Sequence, residues 1–255
     1  MKIHITEPQD YSKNALATYA SLGEVSFGEN PHPETEILTV RLKHKIDKNW
    51  MDKMPNLKII ASPTTGLNHI DVAEAAKRGG KLVTLRGHTS FLDKITSTAE
   101  ETLGLMLAVA RRIPQAHEHV KSGGWNRDQF KGYQLAGQTL GILGLGRLGK
   151  IVARYGQALG MKVMACDPAV SEEEMNKLGV KKADHDSLFR ESDFLSIQVL
   201  LTDATQNLVK EEDLRLMKPT AHLINTARAE ILERGALEKA LKEKWIAGAA
   251  VDVMW

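Results

Sequence analysis

The stretch Gly137–Pro168, GQTLGILGLGRLGKIVARYGQALGMKVMACDP, decides how the rest of the chain is read. Thr139–Leu143 has the length and composition of a buried strand. Gly144, Gly146 and Gly149 follow at once as G-x-G-x-x-G. The next stretch, Gly149–Leu159, has a helical pattern, and Gly160 closes it. A second strand, Lys162–Cys166, leads into Asp167, 18 residues after Gly149. The glycines alone say little. Between that strand and that helix each has a distinct role. Gly144 permits the tight turn, Gly146 lets backbone approach a pyrophosphate, and Gly149 lets helix and strand pack closely. The helix start offers unpaired N–H groups and a positive dipole end to the phosphates. Asp167 reads as the acceptor for the adenine ribose hydroxyls. A 2′-phosphate there would meet a carboxylate, and Pro168, Ala169 and Val170 supply no cation, so NAD is expected over NADP. The competing reading of Asp167–Pro168 is a plain turn before the next helix.

Working outward, short apolar runs alternate with helix-length stretches, which indicates βα units and a parallel sheet. Strands are expected at Lys2–Thr6, Val25–Phe27, Ile37–Val40, Leu57–Ala61 and Leu82–Leu85. A helix, Asp71–Arg78, is stopped by Gly79 and Gly80. A long helix runs from Ile95, with Ala99, Leu103, Met106, Leu107 and Ala110 at 3 to 4 residue spacing. Pro114 follows it. His117–Gly137, polar and Gly-rich with Trp125, Phe130 and Tyr133, reads as an extended loop or arm. Its aromatics fit a subunit interface or a cover over their own domain equally well.

After the glycine motif, further strands are expected at Phe194–Val199, Ala221–Asn225 and Ile246–Val251. Helices fit Ser171–Leu178, Glu211–Met217 and Arg234–Glu243, and Ser171 with Glu174 has capping-box spacing. The fold class is therefore α/β, with two doubly wound parallel-sheet domains. The boundary falls near Asp93–Ser97, giving residues 1–95 and 96–255. Ligands of open parallel sheets bind beyond the carboxyl ends of strands. Arg228 lies just past one such strand and Asp252 just past another, so both are placed at the far end of a bound dinucleotide. The plainer readings are a solvated loop arginine and a helix cap.

Composition narrows the class. The chain has 255 residues, 42% of them hydrophobic, enough for real cores. Lys plus Arg is 34 against 32 Asp plus Glu, a balance without the basic stripe of a nucleic-acid binder. The single cysteine, Cys166, excludes an internal disulfide framework and any multi-Cys metal site. The N-terminus has no apolar core of a signal peptide, and no 18-residue apolar run is present. The expected setting is a reducing compartment, the cytoplasm, with no metal, membrane or nucleic-acid partner.

These residues resemble the D-isomer-specific 2-hydroxyacid dehydrogenases, and within them the D-3-phosphoglycerate dehydrogenase-like members. The resemblance runs over nearly the whole chain. It is carried by SPTTGLNHID (Ser62–Asp71), STAEETLGLMLAVARR (Ser97–Arg112), the glycine motif, SDFLSIQVLLTDAT (Ser192–Thr205), INTARAEIL (Ile224–Leu232) and AAVDV (Ala249–Val253). It implies a flavodoxin-like substrate domain and a Rossmann NAD-binding domain. It also implies NAD-dependent interconversion of a D-2-hydroxy acid and its 2-oxo acid, and a homodimer built on the NAD-binding domain. Arg228 would be the catalytic clamp on the substrate carboxylate and reacting oxygen. Thr65, Gly66 and Leu67 would lie over the substrate. Arg147 and Leu148 would present backbone to the pyrophosphate, and Val199 would run along the adenosine. Thr226 and Ala227 would belong to the cofactor site, and Asp252 would contact the nicotinamide carboxamide.

The chain departs from the family pattern in three places. Gln198-Val199-Leu200 stands where His-x-Pro is usual, and Arg228-Ala229 where Arg-Gly is usual. The family's glutamate and histidine, which would follow Asp252, are not among these residues, and nor is the helix that returns to the first domain. The second domain is therefore expected to be incomplete at its C-terminal end and this chain to turn over little. The alternative is a non-catalytic dinucleotide-binding regulatory protein of the same fold. Arg41, Lys43 and Lys45 after the third strand admit two readings, a phosphate contact or a solvated basic face.

Overall fold

In the computed structural model all 255 residues are described, and they form two compact units, Met1–Leu92 and Asp93–Trp255.

The first unit holds five parallel strands: β1 (Lys2–Ile5), β2 (Glu24–Phe27), β3 (Ile37–Thr39), β4 (Ile59–Ser62) and β5 (Lys81–Thr84). Their order, β2-β1-β3-β4-β5, is the flavodoxin-like doubly wound order. Helix α1 (Lys13–Leu22) covers one face, packing Leu16 and Tyr19 on Ile3, Ile5 and Ile37. Helices α2 (Lys48–Asp52) and α3 (Val72–Lys77) cover the other, burying Met51 and Ala75 against Leu38 and Ile60. Asp71 caps α3 by accepting the Glu74 amide, and Gly79 stops it at φ +72°. A short helix, α4 (Thr89–Leu92), ends the unit.

The second unit opens with α5 (Ser97–Ala110), whose Ala99, Met106 and Ala110 are buried. The expected arm beyond it is corrected. Ile113–Lys121 forms a further helix, α6, with Pro114 in its first turn. Proline at a helix start loses no hydrogen bond, so the residue that reads as a stop after α5 is a start signal for α6. The break between them is Arg112, in the left-handed region at φ +52°. A 3-10 turn at Arg127–Phe130 interrupts the remaining loop.

Six parallel strands follow: β6 (Thr139–Leu143), β7 (Lys162–Cys166), β8 (Lys181–Lys182), β9 (Phe194–Ile197), β10 (His222–Asn225) and β11 (Gly248–Val251). The sheet order β11-β10-β9-β6-β7-β8 contains all six positions of the 3-2-1-4-5-6 dinucleotide-binding order, read from its other edge. Helices α5, α7 (Arg147–Ala158) and α8 (Glu172–Lys177) pack on one face, around Leu140, Ile142 and Ala165. Helices α9 (His185–Glu191), α10 (Glu211–Leu216) and α11 (Ala236–Lys242) cover the other, around Leu195, Ile197 and Leu223. The capping box at α8 forms by half: Ser171 accepts the Glu174 amide, but the Glu174 carboxylate pairs with Lys150 of α7 at 2.6 Å. No helix is long and apolar enough to cross a membrane.

Candidate functional site

In the second unit every residue singled out from sequence lies just beyond the carboxyl end of a strand: Gly144–Gly149 after β6, Asp167 after β7, Val199 after β9, Thr226–Arg228 after β10 and Asp252 after β11. The sheet switches direction between β6 and its neighbour β9, since the chain winds outward from there to both edges. That crevice is where such sheets hold ligands.

The glycines divide by role. Gly144 sits at φ +94°, and a Cβ there would lie 2.7 Å from Val199 Cγ1 and 3.0 Å from the Val199 backbone nitrogen. A Cβ on Gly149 would run into the Gly144 carbonyl oxygen. These two serve the fold. Gly146 is different, because a Cβ on it meets nothing within 4 Å. The protein's own packing therefore does not require glycine there. Gly146 is also the N-cap of α7 and supplies no capping side chain, so the first-turn amides of a 12-residue helix are uncapped. Leu148 packs its side chain into the core and leaves its backbone in that first turn. The Arg147 guanidinium donates to the Ile95 carbonyl at 2.7 Å.

Asp167 is braced by two backbone amides. Its Oδ2 accepts from Leu145 N at 2.7 Å and its Oδ1 from Ala169 N at 2.9 Å. A carboxylate offers about four lone-pair positions, so acceptor capacity remains for a diol. The open glycine, the uncapped helix start and the anchored acid together fit a dinucleotide.

Around Arg228 the organiser is Asn225, which sequence reading did not single out. Asn225 is buried at 1% exposure. Its Oδ1 accepts from Ala227 N and its Nδ2 donates to the Arg228 carbonyl, each at 3.0 Å. Its own carbonyl accepts from Asp252 N at 3.0 Å. One side chain thus fixes the Arg228 turn and one backbone oxygen ties it to Asp252. The only available signal was an Asn two residues before the turn at Ala227–Arg228, the spacing of an Asx turn. The half-buried Arg228 folds back, its Nη1 donating to the Ala227 carbonyl at 2.7 Å. Asp252 is exposed.

In the first unit, Thr65, Gly66 and Leu67 follow β4, all half-buried. Their loop is shaped from below. His69 Nε2 lies 3.2 Å from Ser62 Oγ, which lies 2.9 Å from Thr64 Oγ1, which donates to the Gly66 carbonyl at 2.9 Å. The cations after β3 are largely neutralised. Arg41 pairs with Asp10 at 2.9 Å and Lys43 with Glu29. Their backbone amides both donate to the buried Glu7 carboxylate. Those amides and the Thr6 hydroxyl hold the Glu7 pKa below its usual range, although desolvation, the largest single influence, pushes it up.

The second unit's histidines stand elsewhere. His222 opens β10, at the amino end, bonded to Tyr133 Oη at 2.8 Å and stacked on Phe194. Burial holds its pKa below the usual value. His185 on α9 bonds Asp213 of α10 at 2.9 Å, and His117 and His119 lie on α6.

Comparison with known proteins gives this geometry its family. Residues 103–255 match the D-isomer specific 2-hydroxyacid dehydrogenase NAD-binding domain, and residues 28–116 the catalytic domain of the same family. The chain belongs to the D-isomer specific 2-hydroxyacid dehydrogenases. It is 40% identical over 227 residues to the glyoxylate reductase of Thermococcus litoralis, covering 86% of this chain and 67% of that protein. It is 40% identical over 261 residues to the D-3-phosphoglycerate dehydrogenase of Archaeoglobus fulgidus, covering 99% of this chain and 48% of the relative. The chain thus spans from about half to two thirds of the length of these relatives. Among solved structures, Aquifex aeolicus D-lactate dehydrogenase complexed with NAD and lactic acid superposes with TM-score 0.86 at 28% identity, covering all of this chain and 77% of that one. The family is one of NAD-dependent enzymes, and the stretch that matches its NAD-binding domain, residues 103–255, lies within the second unit.

Proposed function

We propose that the chain serves NAD-dependent interconversion of a small D-2-hydroxy acid and its 2-oxo acid. The observation that carries this is the Arg228 turn, fixed by Asn225 on the same sheet edge as the glycine loop and Asp167. A bound nicotinamide supplies the hydride. The protein's part is to seat and orient. Asp167 accepts ribose hydroxyls, the α7 start and Gly146 receive the pyrophosphate, and Val199, Thr226 and Ala227 line the dinucleotide. Asp252 meets the carboxamide. Arg228 grips the substrate carboxylate and the reacting oxygen with two parallel N–H donors, a geometry lysine cannot reproduce. In the first unit Thr65, Gly66 and Leu67 are the proposed substrate residues, and that unit is read as the substrate domain.

The substrate favoured is a small acid without a phosphate. Two of the three cations that a phosphate would use, Arg41 and Lys43, are already committed to Asp10 and Glu29. Of the second unit's histidines only His185 follows the carboxyl end of a strand, that of β8 at the far edge of the sheet from β10 and β11, and it is engaged by Asp213. These 255 residues are therefore expected to bind NADH well and to turn it over weakly. A second copy of the chain is the proposed partner, through α6 and the segment after it. Ile113 and Val120 are each 53% exposed there, and Trp125 is 90% exposed.

Titration of NADH fluorescence, with glyoxylate or pyruvate added, tests the reading. NADH binding with acid-dependent oxidation, and loss of the acid's effect in Arg228→Lys, supports it. Tight NADH binding with no response to any 2-oxo acid points instead to a non-catalytic regulatory protein. Light scattering of wild type and Trp125→Glu tests the dimer, which the variant is expected to weaken.

A further inference from the structure

Gln198 occupies the crevice between β6 and β9, and its surroundings fix which way its side-chain amide points. It is the first residue past β9, and its backbone N–H extends the ladder to the Leu143 carbonyl at 2.8 Å. Its carbonyl carbon lies 3.0 Å from where a Cβ on Gly144 would be, so it packs directly on the glycine loop. Its side chain reaches three hydroxyls on three elements. Nε2 is 2.9 Å from Ser196 Oγ of β9, 3.2 Å from Thr102 Oγ1 of α5, and 3.4 Å from Thr226 Oγ1 after β10. Ser196, Thr102 and Thr226 are all buried.

Hydroxyls both donate and accept, so contacts of this kind ordinarily leave an amide free to flip. Here they do not. Thr102 donates its one hydroxyl hydrogen to the Thr98 carbonyl at 2.9 Å, and a carbonyl can only accept. Every other contact of Thr102 must then be donated to it. Thr226, 2.8 Å away, must spend its own hydrogen there. Both hydroxyls now face Gln198 as acceptors, so the amide must turn its NH2 group toward them. The carboxamide oxygen is left on the opposite branch. It takes no hydrogen bond from the chain and reaches solvent.

We propose that Gln198 is a cofactor-binding residue whose outward carboxamide oxygen accepts a hydrogen bond from a ribose hydroxyl of the bound dinucleotide. Thr102 is the positioning residue that holds the oxygen outward. The proposal rests on the second unit being an NAD seat. It gives a use to the departure from the family's His-x-Pro. A neutral imidazole offers only one N–H, whereas this amide supplies two hydrogens inward and one acceptor outward.

A double-mutant cycle in the full chain tests this, read by NADH fluorescence titration alongside thermal melting. Gln198→Met removes the acceptor with little change of shape and is expected to raise the NADH Kd about three- to tenfold. Thr102→Val releases the lock without touching the cofactor and should raise Kd less. Thr102 also holds Thr226, so Thr226→Val is carried as the control for that contact; beyond its effect the double variant should bind no worse than Gln198→Met alone. If Gln198→Met does not fold, Gln198→Asn, too short for the same reach, replaces it in the cycle. Unchanged Kd in the Gln198 variant overturns the proposal, as do additive effects of the two substitutions beyond that of the control. Failure of the wild-type chain to bind NADH overturns the NAD seat itself, and the two failures are told apart by that control.

Discussion

The Asp167 carboxylate accepts the backbone hydrogen of Leu145 at 2.7 Å, which makes the acid proposed to meet the ribose also a brace of the glycine loop. Asp167→Ala is therefore expected to have two effects. NADH affinity should fall by about tenfold or more, from the lost charge-assisted hydrogen bonds. The relative preference for NADPH should rise, because the carboxylate that repels a 2′-phosphate is gone. Parallel titrations with the two cofactors measure both. An unchanged NADH to NADPH ratio would count against the assigned contact.

The glycines should separate folding from binding. Gly144→Ala forces a side chain into a left-handed backbone and against Val199, at a cost of about 2 kcal/mol or more. Pairing it with Val199→Ala should recover the packing part of that loss and leave the backbone part. Gly146→Ala meets open space, so urea unfolding of the free protein should barely change while NADH binding weakens.

Asn225→Asp should loosen the Arg228 turn. The variant exchanges a buried N–H donor for a carboxylate oxygen facing the Arg228 carbonyl, and two acceptors cannot pair. A loss of about 2–3 kcal/mol is expected in denaturant unfolding. NADH binding should survive better than any response to a 2-oxo acid, since the glycine loop is untouched.

The stability of the second unit should depend on pH through His222. Burial lowers its pKa in the folded state, so the unfolded chain takes up the proton more readily. The associated stability is present above the unfolded value of about 6.5 and is lost as pH falls from there through the folded pKa. His222→Phe preserves a ring beside Phe194 and removes the partner of the Tyr133 hydroxyl. Unfolding free energies from pH 7 downward should show a shallower acid loss in the variant.

The parts of the site legible in the sequence are those built from neighbours along the chain. The motif at Gly144–Gly149 needs only a strand before it and a helix after it, and both lie within one βα unit. The same locality exposed Asp167 and the strand ends at Arg228 and Asp252. What escaped was held together by distant residues. Thr102 and Gln198 are 96 positions apart, and Arg41 meets Asp10 only once β1 and β3 pair. Helix α6 was missed for another reason: Pro114 and the polar composition after it suit a loop as well as a helix start. Only Arg111 and the left-handed Arg112 separate α5 from α6, and residue type does not reveal a backbone angle at arginine.

Arg228 rests with its guanidinium on the Ala227 carbonyl, while Asn225 holds the backbone on both sides of it. A substrate carboxylate bound there as proposed would compete with one hydrogen bond and would have no segment to reorder. Capture at this arginine would then be a side-chain rotation, a picosecond-to-nanosecond event, rather than a loop closure on the microsecond scale. The arginine stores its receptive geometry in a neighbouring asparagine. Its association kinetics should consequently follow the concentration of the acid, with no slow isomerisation of the Arg228 turn ahead of it.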